Sequence, residues 1–307
     1  MPINQPVKPH TDFRKQLEIL KGRGLIIDDE AKALGYLQTI GYYRLSGYLY
    51  VFRQRDNTGG RKDNFISGSH FQSVIDLYMF DKNLRHLALD ALERIEVAMR
   101  VQIVYILGAY DPLAHLDAQY FDSSFDHAFW LKNYQKMVSR EESKSDFIQH
   151  HRKKYGALPI WAGCEVWDFG TMSKLYQGMR SADKDKIAHY FGLPGAKQLE
   201  TQLRTFNFIR NVSAHYGRLW NRYVAYKAST KGLPCSWQSL PKDRSFIYFC
   251  LMNRMLQVIC SNTQWGVRFI EILNSFPITD NPAVGLKEFG LTVDLDTVKT
   301  QIMLIKS

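Results

Sequence analysis

From Phe71 to Leu107 the chain runs 37 residues without a glycine or a proline, and then meets Gly108. Nothing else in the sequence limits the fold so tightly. Apolar side chains recur along the run, among them Val74, Leu77, Leu84, Leu92, Ile95 and Met99. The pattern predicts one long helix with an apolar face for neighbouring helices and a bend near Asp81. A helix of that length reaches roughly 55 Å. Glu96 and Arg100 lie four apart on it and so share a face; as an exposed pair they would contribute only about 0.3–0.5 kcal/mol.

The rest of the chain repeats the helical theme. Phe13, Leu17 and Leu20 mark a short amphipathic helix closed by Gly22 and Gly24, and Asp28-Asp29-Glu30 opens a second that runs to Gly41. Residues 54–68, polar and rich in Gly and Asn, read as a loop. Beyond Asp111-Pro112, residues 113–139 read as one or two helices and 160–180 as a helix broken at Gly170. Residues 196–218 carry Leu199, Leu203, Phe206, Ile209 and Val212 at helical spacings, and 243–276 form one long helix or a pair. No phosphate loop follows a strand, no β-α alternation occurs, and no internal repeat is visible. The expected class is all-α. It comprises a helical module with an aromatic and basic hairpin over 1–68, a helical core over 69–276 and a C-terminal segment of unassigned role over 277–307.

Charge narrows the partners. The 40 Lys and Arg exceed the 30 Asp and Glu by ten, an imbalance that favours a polyanion, with nucleic acid first. Three stretches could meet RNA. One is the aromatic run Gly41 to Arg53, in which Tyr43 and Tyr48 could stack bases and Arg44 hold phosphate; the same tyrosines could instead pack a small module. A second is His150 to Lys154, with Arg152, Lys153 and Lys154, which reads equally as a solvated connector. The third is Arg218 with Arg222. Cys164, Cys235, Cys250 and Cys260 show no metal-binding spacing and read as free, buried thiols. The start of the chain lacks a signal-peptide core, and no run of about 18 apolar residues occurs, so a cytoplasmic protein without membrane contact is expected.

Chemistry concentrates in Arg210-Asn211-Val212-Ser213-Ala214-His215-Tyr216. An arginine can hold an anion, and a histidine moves protons near neutral pH. Asn211 and His215, four apart, share a helix face, whereas Arg210 and His215, five apart, diverge by about 140°. Three devices could bring them to one phosphate: a distortion near Gly217, the reach of the arginine, or two copies of the helix meeting across a two-fold axis in a homodimer. At such a site His215 would serve the proton transfers as a ribose 2′-OH attacks phosphorus, and Arg210 would hold the phosphoryl oxygens. Asn211 would orient either. The sequence has no carboxylate cluster suited to two metals, and neither metal nor cofactor is expected. Taken alone, the spacing favours a partly buried histidine and a surface arginine on an apolar helix, and only the surrounding chain can overturn that reading.

Four segments, in order over roughly residues 10–225, resemble the Abi-like proteins, an abortive-infection family of bacterial defence proteins in the HEPN ribonuclease superfamily. They are Gly41 to Tyr48, Leu92 to Arg100, Leu158-Pro159-Ile160-Trp161 with Phe169-Gly170-Thr171, and Arg210-Asn211 to His215 with Arg218-Leu219-Trp220-Asn221. Arg210, Asn211 and His215 match the superfamily motif of Arg, four to six residues, then His, and Glu96 to Arg100 looks like its acidic–basic element. The resemblance implies an HEPN-type helical bundle, usually dimeric, with a composite metal-independent ribonuclease site restrained until phage infection. Some relatives are held by a cognate non-coding RNA. For this chain it implies an RNA-cleaving defence effector or toxin, with Glu96 and Arg100 supporting the site. The alternatives are a non-catalytic RNA-binding module and an antitoxin-like regulatory partner.

Overall fold

A computed structural model describes residues 9–231, 233 and 235–304 of the chain. The chain divides into two compact units, one of residues 9–83 with 272–288 and one of 84–271 with 289–304. In the first, Asp12 caps α1 (Phe13–Gly22) and Asp29 caps α2 (Glu30–Thr39), each carboxylate accepting from the backbone N–H three residues on. Leu17, Leu20, Ala33 and Leu37 are the buried faces. Next comes α3 (Tyr42–Leu49), which buries Leu45, Tyr48 and Leu49. The expected loop over 54–68 proves to hold a hairpin, β1 (Arg53–Arg55) antiparallel to β2 (Arg61–Phe65). Its turn is tied by Asp56, which accepts from the N–H groups of Thr58 and Gly60, both at 2.8 Å. Of the strand residues only Phe65 is buried, so the alternation that announces a strand is missing. The segment 272–288 joins this unit through Phe276, edge-on to Phe80 at 4.8 Å, and Asn281, whose Nδ2 donates to Val51 O at 3.0 Å.

The long helix is present and unbroken as α4 (Phe71–Gly108); its N-terminal turns belong to the first unit and the remainder to the second. In the second unit it buries Leu84, Ile95, Met99, Ile103 and Leu107. Of 113–139 only α5 (His127–Glu141) is α-helical, preceded by two single 3₁₀ turns. Then follow α6 (Asp146–Tyr155), the short α7 (Ile160–Gly163), α8 (Phe169–Gly178), α9 (Ser181–Tyr190) and α10 (Ala196–Ala214). The break placed at Gly170 falls instead at Trp167-Asp168, because Asp168 caps α8 by accepting from Thr171 N–H at 2.7 Å. After the four-residue α11 (Cys235–Gln238), the stretch 243–276 divides into α12 (Phe246–Ile259) and α13 (Trp265–Asn274). Short α14 (Leu286–Phe289) and α15 (Leu295–Leu304) close the chain. Phe246, Phe249, Trp265, Phe269 and Phe289 stack and cross in one aromatic core, and Trp265 Nε1 donates to Leu87 O at 3.0 Å. Helix α10 lies in the middle of this unit, packed by α8, α9 and α12. Among the described residues no helix is long and apolar enough to cross a membrane.

Cys164 and Cys250 are buried free thiols, while Cys260 is half-exposed, hydrogen-bonded by its Sγ to Asn262 at 2.9 Å. The side chain of Cys235 lies outside the described residues.

Candidate functional site

The sequence stops α10 at one defined place. His215 closes the helix, its N–H donating to Asn211 O at 3.0 Å. Tyr216 then takes φ 57°, the one positive φ at a non-glycine among the described residues. Tyr216 N–H donates to Ser213 O at 3.1 Å and Gly217 N–H to Val212 O at 2.7 Å, the paired bonds that end helices in a left-handed residue. A side chain at position 217 would crowd Val212, since a Cβ there would lie 3.1 Å from both Val212 Cγ1 and Val212 O. The helix therefore ends at Ala214 rather than running to Arg218, and the chain turns away directly after His215.

Arg204, Phe208, Asn211 and His215 follow one another at spacings of four, three and four, so they fall within about 60° around the helix axis. They face an open cavity of about 870 Å³, whose other walls include Gly170, Lys174 and Gln177 of α8 and Arg222 and Tyr226 beyond the helix. Arg204 lies over the Tyr226 ring at 4.1 Å and Arg222 near the Phe208 ring at 5.8 Å, and the two rings meet edge to face at 6.1 Å. Tyr226 is held by its backbone: Thr205 Oγ1 donates to Tyr226 O at 2.5 Å, and Ser229 N–H donates to Thr201 Oγ1 at 3.0 Å. The lining carboxylate of Glu200 is already paired with Lys184 at 2.9 Å. Among the described residues, no carboxylate pairs with Lys174, Arg204 or Arg222, so the cavity carries an uncompensated positive field.

A second cluster centres on Glu96 and Arg100 of α4. Arg100 Nη2 donates to Glu96 Oε1 at 2.5 Å and also to the carbonyl of Trp167, with Glu165 at 3.9 Å. Both partners are largely buried. Burial pushes the Glu96 carboxyl above the ordinary glutamate range; the charges of Arg100 and Arg210 oppose that rise, and Asp168 adds to it. Arg210 thus acts electrostatically on Glu96, while its Nη1 donates to Asn211 Oδ1 at 3.4 Å. Asn211 and His215 line the cavity and Arg210 does not. No distortion brings the two together, for α10 is regular through Ala214; the arginine's reach carries it as far as Asn211.

The other sequence candidates are dispersed. Tyr43 stands 92% exposed, whereas Tyr48 is 3% exposed, its hydroxyl donating to Asp81 at 2.5 Å and its ring edge-on to Tyr78. Tyr48 therefore packs the first unit and offers no surface to a polynucleotide. Arg44 is exposed on α3. On α6, Lys153 and Lys154 are exposed and Arg152 pairs with both Glu142 oxygens at 3.0 Å. Arg218 is half-buried, and only Arg222 of the basic candidates joins His215 at the cavity. Sequence reading did not single out Lys174, Arg204, Phe208 or Tyr226 as site residues. The signal that could have found two of them is the 204, 208, 211, 215 stripe. Among the described residues no group of three or more His, Cys, Asp and Glu could hold a metal ion.

A family profile described as Abi-like protein matches residues 35–221, a span that takes in Glu96, Arg100, Asp168 and the whole of α10. No curated protein and no solved structure matches the chain.

Proposed function

The chain belongs to the Abi-like protein family, and from that premise we propose that it is a metal-independent endoribonuclease of the HEPN type serving abortive-infection defence. The observation that carries the reading is the end of α10: an exposed histidine and asparagine on a positive cavity, with Arg210 hydrogen-bonded to that asparagine and tied electrostatically to a buried Glu96–Arg100 pair. In the reaction His215 takes the proton from a ribose 2′-OH, the freed oxygen attacks the adjacent phosphorus, and the departing 5′ oxygen receives a proton. Arg210 holds the phosphoryl oxygens as charge builds on them, and Asn211 keeps its guanidinium in place. Arg100, donating to both the Glu96 carboxylate and the Trp167 carbonyl, fixes with Glu96 the surroundings of Arg210.

Arg210 and His215 serve different sides of α10, so the complete site is proposed to form in a homodimer, each phosphate meeting Arg210 of one copy and His215 of the other. On α4, Val97, Val101 and Tyr105 form an apolar stripe four residues apart, exposed by 54%, 56% and 77%, beside Glu96 and Arg100. That stripe gives a second copy an apolar surface to cover.

The test is cleavage of RNA by the purified protein in excess EDTA, with products analysed for 2′,3′-cyclic phosphate ends. His215→Ala is expected to slow cleavage about 10²–10⁴-fold and Arg210→Ala about 10²–10³-fold. Unchanged cleavage in either variant would sink the assignment. RNA binding with no cyclic-phosphate product under any condition would instead favour a module that only sequesters RNA.

A further inference from the structure

The cavity beside His215 contains more than an acid–base site requires. An apolar wall of two rings, Phe208 and Tyr226, stands between two guanidinium groups, Arg222 and Arg204, with Lys174 on the facing helix. Aromatic rings flanked by arginines are suited to a ligand that is flat and apolar on its faces and anionic at its edges, which is the chemistry of an unpaired nucleobase with its phosphates. The rings are not mobile ornaments. Phe208 is carried by the regular part of α10, and the Tyr226 backbone is bonded to Thr205 of the same helix, so little ordering entropy remains to be lost on binding. Phe208 lies seven residues before His215, about 10 Å along the axis, a distance of roughly three stacked bases.

We infer that this cavity is a nucleobase-stacking subsite. The Phe208–Tyr226 wall takes one unpaired base of a single strand, Arg204, Arg222 and Lys174 hold the phosphates flanking it, and the strand leads from there to His215. A base inside a duplex cannot enter, because its faces are already stacked. The assignment rests on the ribonuclease reading only for where the strand goes next; the subsite itself is a statement about binding.

The experiment uses the full chain and a fluorescent single-stranded 10-mer with 2′-O-methyl riboses, which cannot be cleaved by 2′-OH attack, together with the same sequence as a blunt duplex. Binding is read by anisotropy. Phe208→Leu and Tyr226→Leu are expected to weaken single-strand binding about 5- to 150-fold each, with the dependence on salt unchanged. Tyr226→Phe should restore it, and Arg204→Gln should lower the salt slope by about one. Unaltered affinity in both leucine variants that retain native unfolding temperatures would overturn the subsite. Duplex bound as tightly as single strand, or a mononucleotide bound as tightly as the 10-mer, would overturn it as well. Loss of stacking-dependent binding with His215-dependent cleavage intact leaves the ribonuclease standing without this subsite. The reverse result, stacking-dependent binding without cleavage, leaves the subsite standing without the ribonuclease.

Discussion

His115 is fully buried in the second unit, its Nε2 3.3 Å from the Tyr134 hydroxyl and its Nδ1 without a partner among the described residues. Burial, helped by the charge of His127, lowers its pKa to about 4. The ring is therefore neutral in the folded protein, whereas the unfolded chain titrates near 6.5. Between those values the unfolded state holds the extra proton, so stability is lost as pH falls from about 6.5 to about 4, in total by about 3 kcal/mol. Urea midpoints measured from pH 7 to pH 5 should fall in the native protein and fall less steeply in His115→Gln. Gly163 sits against the same pair: a Cβ there would lie 2.4 Å from the Tyr134 hydroxyl and 3.1 Å from His115 Nε2. Gly163→Ala is expected to reduce stability by about 1–3 kcal/mol in the same titrations. Neither residue could be singled out from sequence, since the contact joins 115, 134 and 163 and no local pattern connects them.

At the scale of elements, the ends of helices were more legible when a side chain marked them. Asp12 and Asp29 cap α1 and α2 where the sequence placed the starts, and the Gly-free run gave α4 nearly to the residue. Asp168 performs the same duty for α8, and a reading that weighed glycine as the breaker missed it. Thermal unfolding can check the role. Asp168→Ala should cost about 1 kcal/mol, whereas Asp168→Asn, which keeps an acceptor at the cap, should cost little while removing the negative charge that raises the Glu96 pKa. The β1–β2 hairpin was illegible for a different reason: two short polar strands with one buried side chain carry no periodicity, and the pairing is fixed by the Asp56 turn and Phe65.

For the whole molecule, the decisive quantity is whether two copies share a site. If Arg210 and His215 act across a two-fold axis, mixing the inactive His215→Ala and Arg210→Ala proteins should restore cleavage, because one site of each mixed dimer regains both groups. Sites completed within one chain would stay inactive on mixing. Val101→Arg, placed in the exposed stripe of α4, should shift sedimentation equilibrium toward monomer and abolish activity while leaving the unfolding temperature within about 2–4 °C of the native value. The sequence by itself determined the helical class, the long α4, the charge that favours a polyanion, and the stripe and motif on α10. Those properties follow from local periodicity and composition, which act over a few turns. Only the tertiary structure decided that Arg210 comes within electrostatic range of Glu96 while His215 lines a basic, aromatic cavity, because Glu96 on α4, Lys174 on α8 and Tyr226 beyond α10 are brought to these residues by packing of elements far apart in the chain.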